Sequence, residues 1–132
     1  MADFYGKKYK LSSSENFEEF MKGLGVGLVT RKMGNSISPT VELTENNGEF
    51  VLKTTSTFKN SEIKFKLGEE FDEETLDGRQ VKTVMTREGN KFIQVQKGDK
   101  ETIIEREFTP TEMKAVMKLG DIVCTRVYKV QE

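Results

Sequence analysis

The sequence predicts an all-β fold, either an antiparallel barrel or a sandwich. From residue 40 onward, short runs rich in Val, Ile, Thr and aromatic residues recur at intervals of roughly ten residues. Turn sequences such as Asn47-Gly48 and Asp77-Gly78 separate these runs. Within the runs, apolar and polar residues tend to alternate, as they do on strands with one face turned to an interior. Many short strands joined by tight turns are typical of both architectures.

The N-terminal part of the chain predicts one strand followed by two short helices. The strand is expected over residues 4–11, and the serines at 12–14 then offer an N-cap for the first helix. A second helix is expected over residues 26–32, with Gly34-Asn35 as its stop signal. The first helix carries an apolar stripe at helical spacing, which is either the underside of a packed helix or a surface that contacts a ligand. This stripe consists of Phe17, Phe20, Met21 and Leu24.

Nine further strands are expected after Pro39, which brings the total to ten. Some candidate inner faces mix polar and apolar residues, as Asp77, Arg79 and Val81 do. Such a mixture favours a cavity that holds a ligand and water over a dry core. The nine strands are expected over residues 40–44, 49–55, 58–67, 70–75, 79–86, 91–97, 101–108, 112–119 and 122–130.

The composition excludes several classes of function. A chain of 132 residues predicts a single domain over residues 1–132, and a net charge of −1 gives no reason to expect nucleic-acid binding. The sequence has no histidine and one cysteine, Cys124, so we expect no triad chemistry, no disulfide framework and no metal site. Cys124 is expected to be a small inward hydrophobe. Without a cofactor motif or an apolar signal segment, the sequence predicts a cytoplasmic non-enzyme that needs no cofactor.

Two arginines on the C-terminal strands are the candidate binding residues. Arg126 and Tyr128 share one face of a strand, while Glu105 and Glu107 lie on the face opposite to Arg106. Most arginines point to solvent, and both of these could do so. If they face inward, they need an anion, which the neighbouring sequence does not obviously supply. A ligand carboxylate would fit, since guanidinium groups bind carboxylates through paired hydrogen bonds and a tyrosine hydroxyl can add another.

Several segments, in order and at similar spacing, carry a resemblance to a known family. They are residues 9–11, 16–21, 24–35, 58–60 and 65–73, followed by Arg106, Arg126 and Tyr128. Over essentially its whole length, the chain resembles the intracellular fatty-acid-binding proteins, which belong to the lipocalin-like group. Residues 73–79 and the turn at 118–121 look most like the arthropod muscle-type members.

The resemblance implies a ten-stranded antiparallel up-and-down barrel, or β-clam, capped by a helix-turn-helix lid at about residues 15–35. It also implies an intracellular carrier that reversibly binds one or a few long-chain fatty acids for solubilisation and transport. Arg106, Arg126 and Tyr128 would bind the carboxylate, and retinoic acid is the alternative ligand of the same fold. The family's cavity and opening would be lined here by Phe17, Met21, Val26, Thr30, Pro39, Val41, Thr54, Phe58, Leu76, Asp77, Arg79, Met113 and Ala115.

Two interpretations remain open for the basic residues of the lid and for the pair Asp77 and Arg79. Lys22, Arg31 and Lys32 are either a solvated face or a patch for transient contact with anionic membrane, and a role in nuclear entry is a weaker alternative. Asp77 and Arg79 form either an internal polar pair or a surface turn pair. A purely structural or protein-interaction module is a third functional class, beside a carrier and an enzyme. We expect a monomer, because a closed barrel leaves few free strand edges.

Overall fold

The computed structural model of the protein describes residues 4–131, which form ten strands and two helices. The helices follow the first strand, as predicted, and all remaining elements are strands. The helices are α1 (Phe17–Leu24) and α2 (Leu28–Ser36). The strands are β1 (Lys8–Glu15), β2 (Thr40–Asn46), β3 (Glu49–Thr55), β4 (Ser61–Phe65), β5 (Phe71–Glu74), β6 (Gln80–Glu88), β7 (Lys91–Lys97), β8 (Thr102–Phe108), β9 (Glu112–Leu119) and β10 (Ile122–Gln131).

The strands form one antiparallel sheet in the order β4-β3-β2-β1-β10-β9-β8-β7-β6-β5. Because β1 pairs with both β2 and β10, all ten strands belong to one continuous sheet. This sheet curls into a nearly closed barrel whose two edges are β4 and β5. A polar cleft of about 320 Å³ lies between these edge strands. The structure therefore confirms the ten-stranded barrel and decides against a sandwich, since every strand belongs to the same sheet.

The first strand and the start of α1 differ from the sequence prediction. β1 continues through the three serines because Ser13, Ser14 and Glu15 pair with β10, after a register shift that follows Leu11. Such a bulge lets a strand continue past a residue that would otherwise break the ladder. The serines therefore do not cap α1. Asn16 precedes the helix instead, with a φ of 68°, and its side-chain amide donates to the carbonyl of Val123 at 3.0 Å.

The second helix begins and ends later than predicted. Gly34 and Asn35, expected to stop it, both lie inside α2. Gly34 lies against α1, where an added Cβ would come within 3.1 Å of the Met21 sulfur, so a small residue lets the two helices approach. The side-chain amide of Asn35 donates to Glu18 at 2.8 Å. Contacts between the helices thus override the local stop signal.

Arg31 joins the two helices of the lid. Its Nε donates to Glu18 Oε2 at 2.7 Å, and its Nη1 donates to the carbonyl of Val26 at 2.6 Å. The hydrogen bond from Arg31 lowers the pKa of Glu18. Only 17% of the Arg31 side chain is exposed, so its charge is not part of a free basic face. Of the three lid cations named above, only Lys22 and Lys32 are exposed.

The turn between β3 and β4 shortens β4 relative to the prediction. The hydroxyl of Ser56 accepts hydrogen bonds from the backbone amides of Phe58 and Lys59, and Asn60 Oδ1 accepts one from the amide of Ser56. These side-chain hydrogen bonds hold residues 58–60 in a turn, although the prediction assigned them to the strand. Phe58 consequently lies in the turn, partly exposed, beside the lid.

An aromatic core fills one end of the barrel. On β3, Phe50 belongs to this core, Leu52 belongs to it and also lines an internal cavity, and Thr54, nearest the turn, lines the cavity only. Phe50 stacks on Phe65 at 5.3 Å between ring centroids and meets Phe92 edge-on at 5.5 Å. The core therefore closes the end remote from the β3–β4 turn and leaves the interior free under the lid. No helix among the residues described is long and apolar enough to cross a membrane.

Candidate ligand cavity

A cavity of about 220 Å³ lies inside the barrel under α1 and α2. Its wall is mostly apolar, but it contains several charged side chains, as the mixed inner faces predicted. The wall includes all three candidate binding residues, Arg106, Arg126 and Tyr128. It also includes twelve of the thirteen predicted lining residues, namely Phe17, Met21, Val26, Thr30, Pro39, Val41, Thr54, Phe58, Leu76, Asp77, Arg79 and Ala115.

Met113 is the predicted lining residue that the structure places elsewhere. It is fully buried in the aromatic core and does not line the cavity. The strand register explains this position, because Met113 lies between Phe108 of β8 and Tyr128 of β10. It therefore packs one inward row below the arginines and supports the floor of the cavity.

The strand register brings the two arginines to one row of the wall. Arg106 of β8 and Arg126 of β10 both pair with Ala115 of β9, and directly paired residues point to the same side of a sheet. Strands lie about 4.8 Å apart, so the Cα atoms of the arginines are about 10 Å apart. The methyl group of Ala115 leaves the space between them open. Both arginines thus face inward, as the alternation of their strands suggested.

Arg106 has a partner within the protein. Its Nη1 donates to Gln94 Oε1 at 2.6 Å, and Gln94 Nε2 donates in turn to Glu73 Oε1 at 2.9 Å. Burial lowers the pKa of Arg106, and electrostatic interactions with Tyr128 and Glu73 oppose that effect. The chain therefore supplies an anion to Arg106 through one intervening amide, although the sequence around Arg106 does not indicate one.

Glu73 is the centre of a buried hydrogen-bond network. Its carboxylate accepts from Thr83 Oγ1 at 2.6 Å, from Gln94 Nε2, and from Gln96 Nε2 at 3.2 and 3.3 Å. Thr102 Oγ1 donates to Gln96 Oε1 at 2.5 Å, which fixes the orientation of that amide. A buried carboxylate needs such donors, because the water it has lost must be replaced. Glu73 lines both the cavity and the cleft between β4 and β5.

One signal in the sequence could have identified this network. Gln94 and Gln96 share a face with Phe92, and Glu73 shares a face with Phe71 and Thr75. Polar residues in line with aromatic ones indicate an interior that is partly polar. The sequence does not show that these two faces meet.

Arg126 has a different environment. Only 6% of the residue is exposed, and its Nε has no hydrogen-bond partner among residues 4–131. The guanidinium carbon lies 3.8 Å from the centre of the Phe17 ring on α1 and 6.0 Å from that of Tyr128. Cation–π contact stabilises the charge but does not neutralise it. Arg126 is thus a buried cation with hydrogen-bonding capacity that the protein does not use.

Asp77 and Arg79 form an ion pair in the cavity wall. Arg79 Nε donates to Asp77 Oδ2 at 2.7 Å, and Thr75 Oγ1 donates to Asp77 Oδ1 at 2.6 Å. Burial raises the pKa of Asp77, but the hydrogen bonds from Arg79 and Thr75 outweigh it and hold the pKa below its usual value. The side chains are 19% and 26% exposed, so the interpretation as an internal polar pair fits better than a surface pair.

The charges in the wall do not balance. Arg79, Arg106 and Arg126 carry three positive charges, whereas Glu73 and Asp77 carry two negative charges. Lys59 and Glu74, which also line the cavity, are exposed and add one charge of each sign. One net positive charge remains in the wall, and one monovalent anion would neutralise it.

The other chemistry of the cavity region is limited. Among residues 4–131, no group of three or more Cys, Asp and Glu side chains is arranged to hold a metal ion. Cys124 is fully buried, and burial raises the pKa of its thiol. A protonated, inaccessible thiol is a poor nucleophile, which agrees with the prediction that Cys124 is a small inward hydrophobe.

Comparison with known proteins places these features in a family. A sequence model described as the lipocalin / cytosolic fatty-acid binding protein family matches residues 5–131. The muscle fatty acid-binding protein of Schistocerca gregaria is 53% identical over 131 residues, which cover 98% of both chains. The structure of a fatty acid-binding protein from Drosophila melanogaster brain is 64% identical, with a TM-score of 0.92 and coverage of 96% of this chain and 98% of that one. A fatty acid-binding protein of Schistosoma mansoni, solved in complex with arachidonic acid, is 42% identical, with a TM-score of 0.95 and coverage of 100% and 98%.

Proposed function

Because this chain belongs to the lipocalin / cytosolic fatty-acid binding protein family, we propose that it reversibly binds one long-chain fatty acid inside the barrel and carries it through the cytosol. Membership of a family of binding proteins also agrees with the expectation that the chain is not an enzyme. The observation that carries the proposal is Arg126, a buried cation whose Nε has no partner among the described residues. The unbalanced positive charge of the wall supports one monocarboxylate as the ligand.

The carboxylate would bind between Arg106 and Arg126, which lie on either side of Ala115 in the same row of the wall. Arg126 would donate to it directly, and the hydroxyl of Tyr128, on the same face of β10, would add a hydrogen bond. Arg106 already donates to Gln94, so it would contribute a remaining N–H directly or through a water molecule. Charge-assisted hydrogen bonds contribute about 1.5–3 kcal/mol each.

The acyl chain would supply most of the affinity. Each methylene group removed from water contributes about 0.8 kcal/mol, so about 14 of them give a gross term of roughly 11 kcal/mol before the costs of association. The apolar part of the wall, which includes Met21, Val41 and Leu52, would contact this chain. The head-group site then selects acids over alcohols, since a neutral hydroxyl would leave Arg126 without a counter-charge.

The first test identifies the ligand. The purified protein is extracted with organic solvent, bound lipid is identified by mass spectrometry, and the delipidated protein is titrated with oleate, retinoic acid and retinol by calorimetry. We expect oleate to bind with a stoichiometry of one and retinol to bind at least about tenfold more weakly, because the alcohol forgoes a charge-assisted interaction.

Three results would contradict the proposal in different ways. Equal affinity for retinol and oleate would mean that the arginines do not select the head group. A preference for retinoic acid would make the retinoid acid the ligand class. Absence of lipid and of uptake would mean that the chain shares the fold without the activity, as a structural or interaction module would.

We further propose that the lid delivers the ligand by transient contact with anionic membrane. Leu28 and Val29 of α2 are exposed, the latter by 73%, and the exposed cations Lys22 and Lys32 lie on the same two helices. Apolar side chains beside lysines suit the interface of an anionic bilayer, where each lysine contributes about 1 kcal/mol. The same lysines are the candidates for the weaker prediction of nuclear entry.

Charge reversal tests the delivery proposal. The double variant Lys22→Glu/Lys32→Glu is expected to slow oleate transfer to anionic vesicles by about tenfold or more, with unchanged oleate affinity. Transfer is followed by loss of a fluorescent fatty acid to quencher-containing vesicles. Lys10→Glu/Lys114→Glu is the matched control, because both lysines are exposed on the barrel and the net charge changes equally. Equal slowing by the two variants, or none by either, would show that the lid has no special role.

We propose a monomeric single-domain protein. The free edges of the sheet are short, because β4 has five residues and β5 has four. Both edge strands expose charged side chains, including Glu62, Lys64 and Asp72. Short, charged edges disfavour pairing with a second copy.

A further inference from the structure

We propose that Thr75, Asp77 and Arg79 form a second polar subsite that binds the hydroxyl group of a hydroxylated long-chain fatty acid. The inference rests on the proposed function, since the carboxylate of the same ligand would bind at Arg126. It adds a preference within the fatty acids, for chains that carry a hydroxyl group away from the carboxylate.

The subsite has hydrogen-bonding capacity that the protein does not use. The side chain of Arg79 donates only through Nε, and no side chain or carbonyl among residues 4–131 accepts from its two Nη groups. Each oxygen of Asp77 accepts one side-chain hydrogen bond, from Thr75 or from Arg79, although a carboxylate oxygen can accept two. The hydroxyl of Thr75 has no free donor, because it donates to Asp77, and it accepts from the backbone amide of Arg79. Spare donors and spare acceptors therefore lie side by side in the cavity wall.

The charge of the subsite selects the kind of group it can bind. Asp77 neutralises Arg79, so a second carboxylate would be attracted by one residue and repelled by the other. A ketone could accept from Arg79 but could not donate to Asp77. A hydroxyl group does both at once, because it is one donor and carries two acceptor lone pairs. The arrangement fits an alcohol better than either alternative.

The position of the subsite places the hydroxyl away from the head group. Arg79 directly precedes β6, which lies four strands from β10 in the sheet. The adjoining residue Leu76 accepts a hydrogen bond from Lys59 Nζ of the β3–β4 turn, at the mouth of the cavity under the lid. Arg126 lies above the aromatic floor, next to the row of Tyr128 and Met113. A ligand whose carboxylate contacts Arg126 would therefore reach the subsite with a more distal part of its chain.

An unsubstituted acyl chain would interact poorly with this part of the wall. If it covers Asp77 and Arg79, it shields their free polar groups from water without replacing the lost hydrogen bonds. A hydroxyl at the right carbon restores them. In an apolar cavity without such a subsite, the hydroxyl would instead weaken binding, because it would itself lose its water. A hydroxyl group that raises the affinity therefore indicates the subsite, and a hydroxyl group that lowers the affinity indicates an apolar wall without one.

The experiment compares stearate with a series of hydroxystearates whose hydroxyl lies at carbons from the middle to the end of the chain. Affinities are measured by calorimetry for the wild type, for Arg79→Met and for the control Lys82→Met, which removes a cation from the outer face of β6. In the wild type and the control, we expect at least one isomer to bind about tenfold tighter than stearate. In Arg79→Met, we expect the order to reverse, so that this isomer binds more weakly than stearate does to the same variant.

A second variant tests the charge argument and does not depend on the first. Asp77→Asn leaves Arg79 without its counter-charge, so the variant is expected to gain affinity for a dicarboxylic acid of the same chain length by about tenfold over the wild type. The inference would be overturned if every hydroxystearate bound more weakly than stearate to the wild type, and if the same factor of weakening were found in Arg79→Met. Failure of the wild type to bind stearate as well would overturn the proposed function, and the inference with it.

Discussion

Replacement of Arg126 by methionine is expected to weaken oleate binding by about 10- to 100-fold, because the ligand loses one charge-assisted interaction. The same change is expected to leave the free energy of unfolding of the ligand-free protein unchanged or higher. In the absence of ligand, Arg126 is a buried cation with an unpartnered Nε, and burying such a charge costs several kcal/mol. The cation–π contact of Arg126 with Phe17 offsets only about 1–2 kcal/mol of this cost. Methionine fills a similar volume without a charge.

The opposite signs of the two effects make this prediction specific. Calorimetry measures the affinity for oleate, and urea unfolding of the delipidated protein measures stability. Lys129→Met is the matched control, because Lys129 lies on the outer face of the same strand, where it pairs with Glu112. The control should leave oleate affinity unchanged. A loss of stability in Arg126→Met with unchanged oleate affinity would show that the arginine serves the fold and not the ligand.

Replacement of Glu73 by alanine is expected to lower the free energy of unfolding by about 3–5 kcal/mol. The substitution leaves the hydroxyl of Thr83 and the side-chain amides of Gln94 and Gln96 without their common acceptor. Each buried donor left unsatisfied costs about 1–3 kcal/mol, although the costs of neighbouring groups do not add simply. The change also removes the anion that partners Arg106 through Gln94.

Urea unfolding at pH 7 measures this loss. Glu74→Ala is the control, since Glu74 is the next residue on β5 and is exposed, so its variant should stay within about 0.5 kcal/mol of the wild type. Glu73→Gln keeps one acceptor oxygen but turns an amide group toward other donors, so its stability should be intermediate. Oleate binding by the folded Glu73→Ala protein should persist, because the cavity then carries more positive charge. A stability loss below about 1 kcal/mol would contradict the assignment of Glu73 as the centre of the network.

The sequence predicts much of the barrel because turns and alternation are local signals. The bounds of β3, β7 and β9 agree with the prediction to the residue, and a glycine-containing turn adjoins each of these strands. The prediction is wrong where a distant partner decides. β1 continues through Ser13 and Ser14 because β10 pairs with them, and α2 continues past Gly34 because Met21 packs against it.

The same distinction applies to the site. Alternation places Arg126 and Tyr128 on one face and Arg106 opposite its flanking glutamates, but it leaves open whether these faces point inward. The strand register places all three in the cavity wall. The burial of Glu73 does not follow from its strand alone, because its donors lie 10 to 23 residues away and the alternation of β5 does not show which strands its face meets. The family resemblance implies that Met113 lines the cavity, whereas the structure places it in the aromatic core, because the position of a residue on a strand gives the side it faces and not its depth.

The order of the strands has a consequence for the covalent chain. Strands that are consecutive in sequence are neighbours in space, except for β4 and β5. The first and last strands, β1 and β10, also pair directly, with Lys8 opposite Gln131. The connectivity is therefore cyclic. A peptide that led from Gln131 back to the N-terminal side of Lys8 would span a short distance, and the chain could be reopened at residues 66–70, where no ladder of hydrogen bonds would be cut. In such a circular permutant, the new ends would lie at the seam of the barrel.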